Sequence, residues 1–450
     1  PAACSDRFVA HDLAHVTTTR DGIIRMFEGN GSGLAGGDLD NDGDLDLVLG
    51  NLHAPNSILW NEGNLTFRKT TFGEQNTRAL ALVDVDADGR LDITLTRNTG
   101  VFNYWHNQGD GSFKRTVLPG LGKPAYSLAW ADVDRDGDLD LATATYDAGL
   151  LTDLGNEYLL APNGGVYLYE NREGRFRPQQ LAGEAQGLAL LFHDANGDGR
   201  PDLLVGNDFD VRDMAFLNLP AGWTLSKPFA HTTHSTMSFD AGDIHNDGRV
   251  DLFASDMKPF DHTDPDVAMA WAPLMADMPM MMDPNEPQLM ENVLLVQDDS
   301  DTWYNVSISA GVDAAGWAWA GRFGDLNNDG WLDLYVVNGF TEERLLGHLP
   351  DHELVEENRV FVNDGTGQFD EASAWGLNST RSGRSMLMAD FDADGDLDIV
   401  VNNVRSQAQL FENDLCGGDS VQVALRWPAV QNRNAIGAQV RLRTDQGLLT

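Results

Sequence analysis

The segment Asp38-Leu-Asp40-Asn-Asp42-Gly-Asp44-Leu-Asp46 decides the fold, because the chain repeats it with the acidic residues in register. Positions 1, 3, 5, 7 and 9 are all aspartate in this first copy, and position 6 is glycine. Six further copies, numbered two to seven, have the following residues at those five positions: Asp84, Asp86, Asp88, Arg90 and Asp92; Asp132, Asp134, Asp136, Asp138 and Asp140; Asp194, Asn196, Asp198, Arg200 and Asp202; Asp243, His245, Asp247, Arg249 and Asp251; Asp325, Asn327, Asp329, Trp331 and Asp333; Asp390, Asp392, Asp394, Asp396 and Asp398. Such self-similarity is typical of repeat folds, propellers among them.

The acidic residues of the copies indicate a bound cation. The copies contain 28 of the 54 aspartates, and carboxylates packed so densely repel one another unless a cation joins them. Calcium takes six to eight oxygen ligands, which side chains at positions 1, 3, 5 and 9 around a tight glycine turn can supply. The backbone carbonyl at position 7 completes the set, so Arg90, Arg200 and Trp331 count through their carbonyl groups. The sequence therefore predicts up to seven calcium sites; magnesium, which requires a near-ideal octahedron, fits less well.

Other interpretations of the pattern are weaker. An Asp-Gly pair can simply form a turn between strands, but seven copies in register argue against that explanation for the whole set. Copy five is the weakest site, because His245 replaces an oxygen ligand by an imidazole, which suits softer metals. An EF-hand requires glutamate at position 12, where copy one has Leu49 and copy seven has Val401.

Composition excludes several classes of protein. With 30 Lys+Arg against 70 Asp+Glu, a net charge of -40, the chain lacks the basic surface that nucleic acid requires. Hydrophobic residues make up 42% of the chain, enough for a core, so it is not a disordered acidic tail. The sequence contains no run of about 18 apolar residues, so we expect no transmembrane segment. It begins at Pro1 rather than Met, which favours a processed product or a fragment.

The spacing of the copies predicts an all-β fold. The first aspartates stand at 38, 84, 132, 194, 243, 325 and 390, and the short steps of 46 to 49 residues suit a four-stranded blade. An apolar strand follows each loop, then a strand that ends in asparagine, a glycine turn and an aromatic residue, as in 58–61 followed by Phe67. Seven such units predict a seven-bladed β-propeller with the start of a small β-rich C-terminal domain behind it.

The ends of the chain close the predicted ring. No fourth strand follows 410–413, whereas 6–9 matches the strand after each glycine turn, so we expect the N-terminal segment 1–30 to complete blade seven. Cys4 and Cys416 then fall at one hairpin tip, which predicts a disulfide and an oxidising compartment. The alternative is that Pro1-Ala-Ala-Cys4 is the remnant of a lipoprotein cleavage site, with Cys4 lipidated.

The Asp loops and segments such as Phe323-Gly-Asp325 resemble the FG-GAP or VCBS repeats of integrin α-subunit type propellers, over residues 31–415. A narrower likeness rests on Gly316-Trp317-Ala-Trp319 and on 432–440, which are similar to segments of the cartilage acidic protein family. That family's propeller is followed by an ASPIC/UnbV domain, so the resemblance implies that 416–450 begins such a domain and that Thr450 lies partway through it. It also implies an extracellular or surface calcium-binding protein involved in adhesion and protein interaction. The chain has no Arg-Gly-Asp triplet, so an integrin-ligand role has no support.

The resulting expectation is a secreted, periplasmic or cell-surface calcium propeller that acts as an adhesion or interaction module, its calcium being structural. A protein or glycan ligand is expected on the face opposite the calcium loops. Two alternatives remain: a structural component of a surface assembly, and a calcium-dependent polysaccharide-cleaving enzyme, which rests on fold analogy alone.

Three long insertions, 146–165, 255–290 and 338–358, follow the strand after an Asp loop and so lie at the opposite face. Loops over a rigid scaffold commonly bind ligands. The second insertion and its flanks contain the methionines Met257, Met269, Met275, Met278, Met280, Met281, Met282 and Met290. Thioethers bind Cu(I) or form an adaptable apolar cover, and we favour the cover. The third has His348, His352, Glu353 and Glu356 at helical spacing, which predicts a solvated acidic helix.

The sequence names no catalytic or cofactor-binding residue. It contains no GxSxG elbow, no Walker loop and no GxGxxG after a strand. The isolated histidines His53, His106, His193, His231 and His234 are interpreted as loop or strand-end residues.

Overall fold

The fold is that of a computed structural model, which describes residues 4–20, 24–97, 100–146, 164–209, 211–277, 288–298, 300, 302–418, 420–428, 430–443 and 448–449. Seven antiparallel four-stranded sheets account for most of these residues, as the sequence predicts. The architecture is an all-β, seven-bladed β-propeller.

Each blade consists of four strands that pair in chain order, with one exception in blade seven. The strands of blades one to four are β2 (Leu34–Gly37), β3 (Asp46–Leu49), β4 (Asn56–Asn61) and β5 (Phe67–Phe72); β6 (Thr77–Val83), β7 (Asp92–Arg97), β8 (Asn103–Asn107) and β9 (Phe113–Thr116); β10 (Ser127–Ala131), β11 (Asp140–Ala144), β12 (Val166–Arg172) and β13 (Arg175–Ala182); β14 (Gly187–His193), β15 (Asp202–Asn207), β16 (Met214–Leu219) and β17 (Gly222–Ser226). Those of blades five to seven are β19 (Ser238–Gly242), β20 (Asp251–Ser255), β23 (Val293–Gln297) and β24 (Trp303–Asn305); β26 (Ala320–Gly324), β27 (Asp333–Val337), β30 (Arg359–Asn363) and β31 (Phe369–Glu371); β32 (Gly383–Ala389), β33 (Asp398–Asn403), β34 (Gln407–Asp414) and β1 (Arg7–Val16).

Burial explains the sequence of the strands. The second strand of each blade is packed on both faces by neighbouring blades, and β3, β11, β15, β20, β27 and β33 are buried throughout. Such strands are continuous apolar runs rather than alternating ones. The fourth strands alternate or are mostly exposed, as in β5 and β9, because they form the outer rim.

The first strands form a closed inner ring. β2 contacts β6, β6 contacts β10, and the contacts continue through β14, β19, β26 and β32 back to β2. Each Asp loop joins a first strand to a second strand, so all seven loops lie at one end of the channel that the first strands surround. We call this end the Asp-loop face and the other end the far face.

The predicted closure is confirmed. β1 pairs with β34 from Arg7 opposite Asp414 onward and becomes the outer strand of blade seven. Cys4 and Cys416 form the predicted disulfide, with their Cα atoms 5.5 Å apart. A propeller closed in this way has no open sheet edge between its first and last blades.

Short elements decorate this frame. Three helices, α1 (Met26–Gly29), α2 (Pro265–Asp277) and α3 (Ser307–Ala310), and two 3-10 turns, Pro350–His352 and Ser373–Trp375, lie between strands. The short strands are β18 (Thr232–Thr233), β21 (Met257–Lys258), β22 (Gln288–Leu289), β25 (Gly316–Trp317), β28 (Phe340–Thr341), β29 (Glu353–Leu354), β35 (Leu442–Arg443) and β36 (Leu448–Leu449). Among the residues described, no helix has both the length and the apolar character needed to span a membrane.

Candidate functional site

The seven Asp loops share one backbone turn. Position 4 has a positive φ in every copy, from 52° at Asn246 to 71° at Gly197, and the glycine at position 6 has φ from 81° to 105°. Only glycine adopts such angles freely, and another residue there costs about 1 kcal/mol or more. Six copies place a non-glycine residue at position 4, so the contacts within each loop impose the turn.

The carboxylate at position 1 holds the turn from inside. In copy one, Asp38 accepts the backbone N–H groups of Asp42 at 3.1 Å and Gly43 at 3.2 Å. Asp42 in turn accepts the backbone N–H of Asp44 at 3.0 Å. These bonds point the carboxylates of the loop inward, toward one another.

The carboxylates of positions 1, 3 and 5 meet in space. In copies one, two and three, one oxygen from each of these side chains lies within 4.8 Å of the others. In copy seven the carboxylates of positions 1, 3 and 9, which are Asp390, Asp392 and Asp398, come equally close together. These groups are the ones that the sequence assigns to calcium, and the donor set is all oxygen.

The aspartate at position 9 has a second task. The carboxylate of Asp46 accepts the backbone N–H of Leu39 at 3.0 Å and that of Asn61 at 2.8 Å, which ties the loop to the third strand. Asp140 and Asp398 make the equivalent pair of bonds. Burial raises the pKa of Asp46, Asp140 and Asp398 to about 7, and the amide bonds oppose that rise. Position 9 is therefore a structural anchor of the loop, independently of any metal.

Several loop carboxylates are buried without a hydrogen-bond partner. The unpartnered oxygens are Asp84 Oδ1, Asp132 Oδ1, Asp138 Oδ1, Asp392 Oδ1 and Asp396 Oδ1, in copies two, three and seven. Asp84 is only 4% exposed and Asp138 only 6%. Burial, followed by the charges of neighbouring aspartates, raises the pKa of Asp138 to about 7 and that of Asp396 to about 8. A buried acceptor that lacks a partner is costly, and an oxygen-seeking cation would remove that cost.

Position 7 divides the loops into three kinds, since it is arginine in three copies, aspartate in three and Trp331 in copy six. In copies two, four and five it is arginine, whose guanidinium pairs with the aspartate at position 5: Arg90 with Asp88, Arg200 with Asp198, and Arg249 with Asp247. The sequence predicts a role for Arg90 and Arg200 only through their carbonyl groups, and it gives no sign of these ion pairs. Copies one, three and seven have aspartate at position 7, so they concentrate the most negative charge.

Histidine side chains contact the aspartates of two Asp loops. His245 Nδ1 lies 3.1 Å from Asp251 Oδ2 in copy five, and the bond to Asp251 raises the pKa of His245. This contact places an imidazole at position 3, where the other copies have a carboxylate or amide side chain. In copy two, His106 Nδ1 lies 3.2 Å from Asp92 Oδ1 and 3.4 Å from Asp86 Oδ2. The only signal for His106 in the sequence is that it precedes the asparagine that ends its strand.

The remaining histidines do not form a common site. His53 contacts Glu28 at 3.2 Å, and the ring of His193 packs edge-on against Trp303. Burial lowers the pKa of His193 to about 4. The backbone N–H of His234 donates to Asp256.

The C-terminal segment 416–443 lies against the Asp-loop face. The backbone N–H of Asn432 donates to Gly137 O at 2.7 Å, and Arg441 Nη2 donates to Gly248 O at 3.2 Å. The side chain of Gln422 donates to Asp390. This segment therefore contacts the loops of copies three, five and seven, a packing that the sequence did not predict.

The third insertion differs from its prediction, which was a solvated acidic helix. Glu353 is part of β29, and Glu356 lies in irregular backbone beyond it. Glu356 accepts Trp271 Nε1–H at 3.1 Å and the backbone N–H of Trp317 at 2.7 Å, and burial raises its pKa to about 7. The prediction of a solvated helix was wrong. Helical spacing of polar residues does not show that Trp271 and Trp317, which are distant in sequence, donate to Glu356 and bury it.

The second insertion packs onto the frame through α2. Trp271 and Leu274 are buried beside Trp317, and the two indole rings lie 5.8 Å apart. His348 of the third insertion contacts Ala270 O at 2.9 Å, so the second and third insertions adjoin. Met257 is buried in the same cluster, whereas Met269 is exposed. Met278, Met280, Met281 and Met282, and residues 147–163 of the first insertion, lie outside the described residues.

Comparison with known families agrees with the repeat. The profile of the FG-GAP-like repeat matches residues 38–95, 84–143, 194–254 and 351–401, so the chain contains FG-GAP-like repeats. These matches include every Asp loop except copy six, whose turn has the same positive φ at Asn328 and Gly330. The narrower likeness to the cartilage acidic protein family and its ASPIC/UnbV domain stays a prediction.

Comparison with solved structures agrees with the fold. The BP39L lectin from Burkholderia pseudomallei superposes with a TM-score of 0.54 at 11% identity, covering 87% of this chain and 98% of the lectin. BBS1N, solved in complex with ARL6DN, gives a TM-score of 0.49 at 8% identity, covering 93% and 100%. At these identities the likeness to the lectin shows the fold alone. No curated protein sequence matches the chain.

Proposed function

We propose that this protein is a calcium-stabilised propeller that acts as an interaction module. The observation that supports calcium most directly is the set of unpartnered, buried carboxylate oxygens in copies two, three and seven, within loops of identical turn. Calcium would be bound by the side-chain oxygens of positions 1, 3, 5 and 9 with the carbonyl of position 7. When bound, it would supply the positive charge that these loops lack.

The residue at position 7 ranks most of the sites by expected calcium affinity. Copies one, three and seven offer five aspartates each and have no arginine at position 7, so they should bind calcium most tightly. In copies two and four the arginine at position 7 already pairs with position 5, and calcium must compete with it. Copy five adds the His245–Asp251 contact and should be the weakest.

The same contacts give calcium a structural role. Each loop connects the inner strand of a blade to its buried second strand, and position 9 ties it to the third. A cation in the loop therefore stabilises three of the four strands of a blade by stabilising one turn. Ligands that bind the native state alone raise its stability by mass action.

Recognition of a partner is proposed for the far face. There the second and third insertions adjoin, and they expose the apolar side chains of Met269, 69% exposed, and Val355, 61% exposed. Trp271, by contrast, is buried and serves packing. A secreted or surface location is proposed from the Cys4–Cys416 disulfide, because such bonds persist in oxidising compartments.

Thermal unfolding in calcium, magnesium and chelator tests the calcium proposal. We expect calcium to raise the melting temperature well above that in chelator, and magnesium to raise it much less. The triple variant Asp42→Asn, Asp136→Asn and Asp394→Asn should lose most of the calcium effect. A matched triple variant of exposed aspartates outside the loops, Asp110→Asn, Asp261→Asn and Asp370→Asn, should keep it. An equal response of the two triple variants would contradict the proposal.

Retention on arrays of matrix proteins and polysaccharides tests the interaction face. The double variant Met269→Glu and Val355→Glu should reduce capture, whereas Val421→Glu, an exposed valine on the C-terminal segment, should not. If the double variant is captured as well as the wild type, the insertions do not form the recognition surface.

A further inference from the structure

The far-face end of the channel is lined by the beginnings of the first strands. Because each first strand runs toward its Asp loop, its first residues lie at the opposite end, beside the channel. Arg78 is the second residue of β6 in blade two, and Arg384 is the second residue of β32 in blade seven. Tyr126 and Trp319 immediately precede the first strands of blades three and six.

The two arginines converge on one segment of backbone. Arg78 Nη1 donates to the carbonyls of Asn30 and Gly31, the latter at 2.6 Å. Arg384 Nε donates to Gly29 O at 2.5 Å. The two guanidinium groups thus donate to the carbonyl groups of three consecutive residues. Like charges placed so close repel each other.

Neutral groups satisfy only part of this charge. Arg384 Nη1 donates to the carbonyls of Gly339 at 2.9 Å and Gly383 at 2.7 Å, whereas Nη2 is buried and has no partner. Arg384 is only 5% exposed. Among the residues the structure describes, neither Arg78 nor Arg384 forms an ion pair, although the chain has 70 acidic residues.

A second unpartnered donor lies beside Gly339, whose carbonyl accepts from Arg384. Ser382 is 2% exposed and its hydroxyl has no partner. It adjoins Gly339, since a Cβ built on that glycine would lie 3.2 Å from Ser382 Oγ. Burial and then the charge of Arg78 lower the pKa of Arg384 well below its usual range, and Glu353 opposes this only in part. A buried charge without a counter-charge is strongly unfavourable.

Aromatic rings stack on the flat faces of the two guanidinium groups but do not accept hydrogen bonds from the N–H groups at their edges. Arg78 lies 4.9 Å above the ring of Tyr126, and Arg384 lies 4.5 Å above that of Trp319. Stacking of this kind attracts the cation through its face. The N–H groups at the edges still require acceptors, and guanidinium edges match oxyanions.

We propose that a small anion, chloride or the carboxylate of a small acid, binds at this end of the channel between Arg78 and Arg384, with the Ser382 hydroxyl as a further donor. The anion neutralises the charge of the pair and accepts the N–H of Arg384 Nη2. It joins blades two and seven to the segment that leads into blade one. The site is independent of the Asp loops, which lie at the opposite face.

Chloride-35 NMR and thermal unfolding test this site on the whole chain, with calcium present throughout. Ionic strength is held constant by a bulky sulfonate buffer while chloride or acetate is varied. In wild type we expect excess broadening of the chloride resonance that acetate removes, and a melting temperature that rises and saturates with either anion. Arg78→Met, at a half-buried position, should fold and lose both effects. Arg381→Met, which replaces a half-buried arginine that precedes β32 and pairs with Asp12, should keep both.

Two results would overturn the proposal. One is wild-type protein that shows neither excess broadening nor a saturable shift. The other is Arg78→Met protein that retains the wild-type response. Arg384→Met is a further variant of the same site. If it fails to fold, the Arg78→Met variant still decides the question. Because calcium is saturating in every sample, failure here leaves the calcium proposal untouched, and failure of the calcium proposal leaves this test intact.

Discussion

Replacing Asp138 by asparagine should have opposite effects on stability with and without calcium. This carboxylate at position 7 of copy three has an unpartnered buried oxygen, and its pKa rises from 3.8 to about 7 through burial and then the charges of Asp136 and Asp140. A rise of that size corresponds to roughly 4 kcal/mol of unfavourable free energy when the group is ionised. The loop borders solvent, which screens part of it, so we expect about 2 kcal/mol.

Proton linkage gives the direction in which the stability of the folded state changes with pH. A carboxyl with a raised pKa binds more protons in the folded state, so the folded state loses stability as pH rises from about 4 to about 7. At pH 8 in chelator, Asp138→Asn removes the ionised group and should stabilise the protein by about 2 kcal/mol. In saturating calcium the carboxylate attracts the cation, and the same variant should be less stable than wild type. At pH 4 the carboxyl is protonated in the folded state, and the gain in chelator should largely vanish.

The assay is thermal unfolding of wild type and variant at pH 8, in calcium and in chelator. Asp44→Asn is the matched control, because Asp44 occupies position 7 of copy one but is more exposed. It should give little stabilisation in chelator. The reasoning is refuted if Asp138→Asn changes stability with the same sign and size in both buffers, since charge repulsion without a cation predicts that result.

Three further predictions concern other parts of the molecule. The double variant Cys4→Ser and Cys416→Ser should lower the melting temperature, because it removes a bridge across the ends of the ring worth about 3 kcal/mol; an unchanged melting temperature in both oxidised and reduced buffers would contradict this. His245→Asp should increase calcium binding by calorimetry, because it replaces the imidazole that contacts Asp251 with an oxygen ligand; weaker binding than wild type would show that copy five does not use position 3. Glu356→Ala should lower the free energy of unfolding by about 2 kcal/mol, because it leaves the N–H groups of Trp271 and Trp317 without an acceptor; an exposed control, Glu371→Ala, should cost less than half as much.

The fold could be predicted because its signals are local and repeated. The Asp pattern fixes the turn, the distance between copies fixes the length of a blade, and the missing strand after 410–413 assigns Arg7–Val16 to blade seven. The pairing of Cys4 with Cys416 followed from the same register. Each of these inferences needed only neighbours within a hairpin or the closure of a ring.

The contacts that escaped prediction join residues far apart in the chain. Glu356 meets Trp271 across 85 residues, and Arg384 meets Gly29 across 355. No pattern within a blade identifies such partners. The ion pair between positions 5 and 7 is local, but the arginine side chain could equally have extended into solvent. The packing of 416–443 on the Asp-loop face likewise depends on the finished disc.

The amount of calcium bound at equilibrium is the most direct test of the proposal that the Asp loops bind calcium. The purified protein would be dialysed against buffers of defined free calcium and its bound metal counted by elemental analysis, with magnesium present in excess. We expect at least three equivalents of tightly bound calcium, from copies one, three and seven, and up to seven equivalents at higher free calcium. Less than one equivalent at saturating calcium would contradict it, and the Asp loops would then be turns that no calcium occupies.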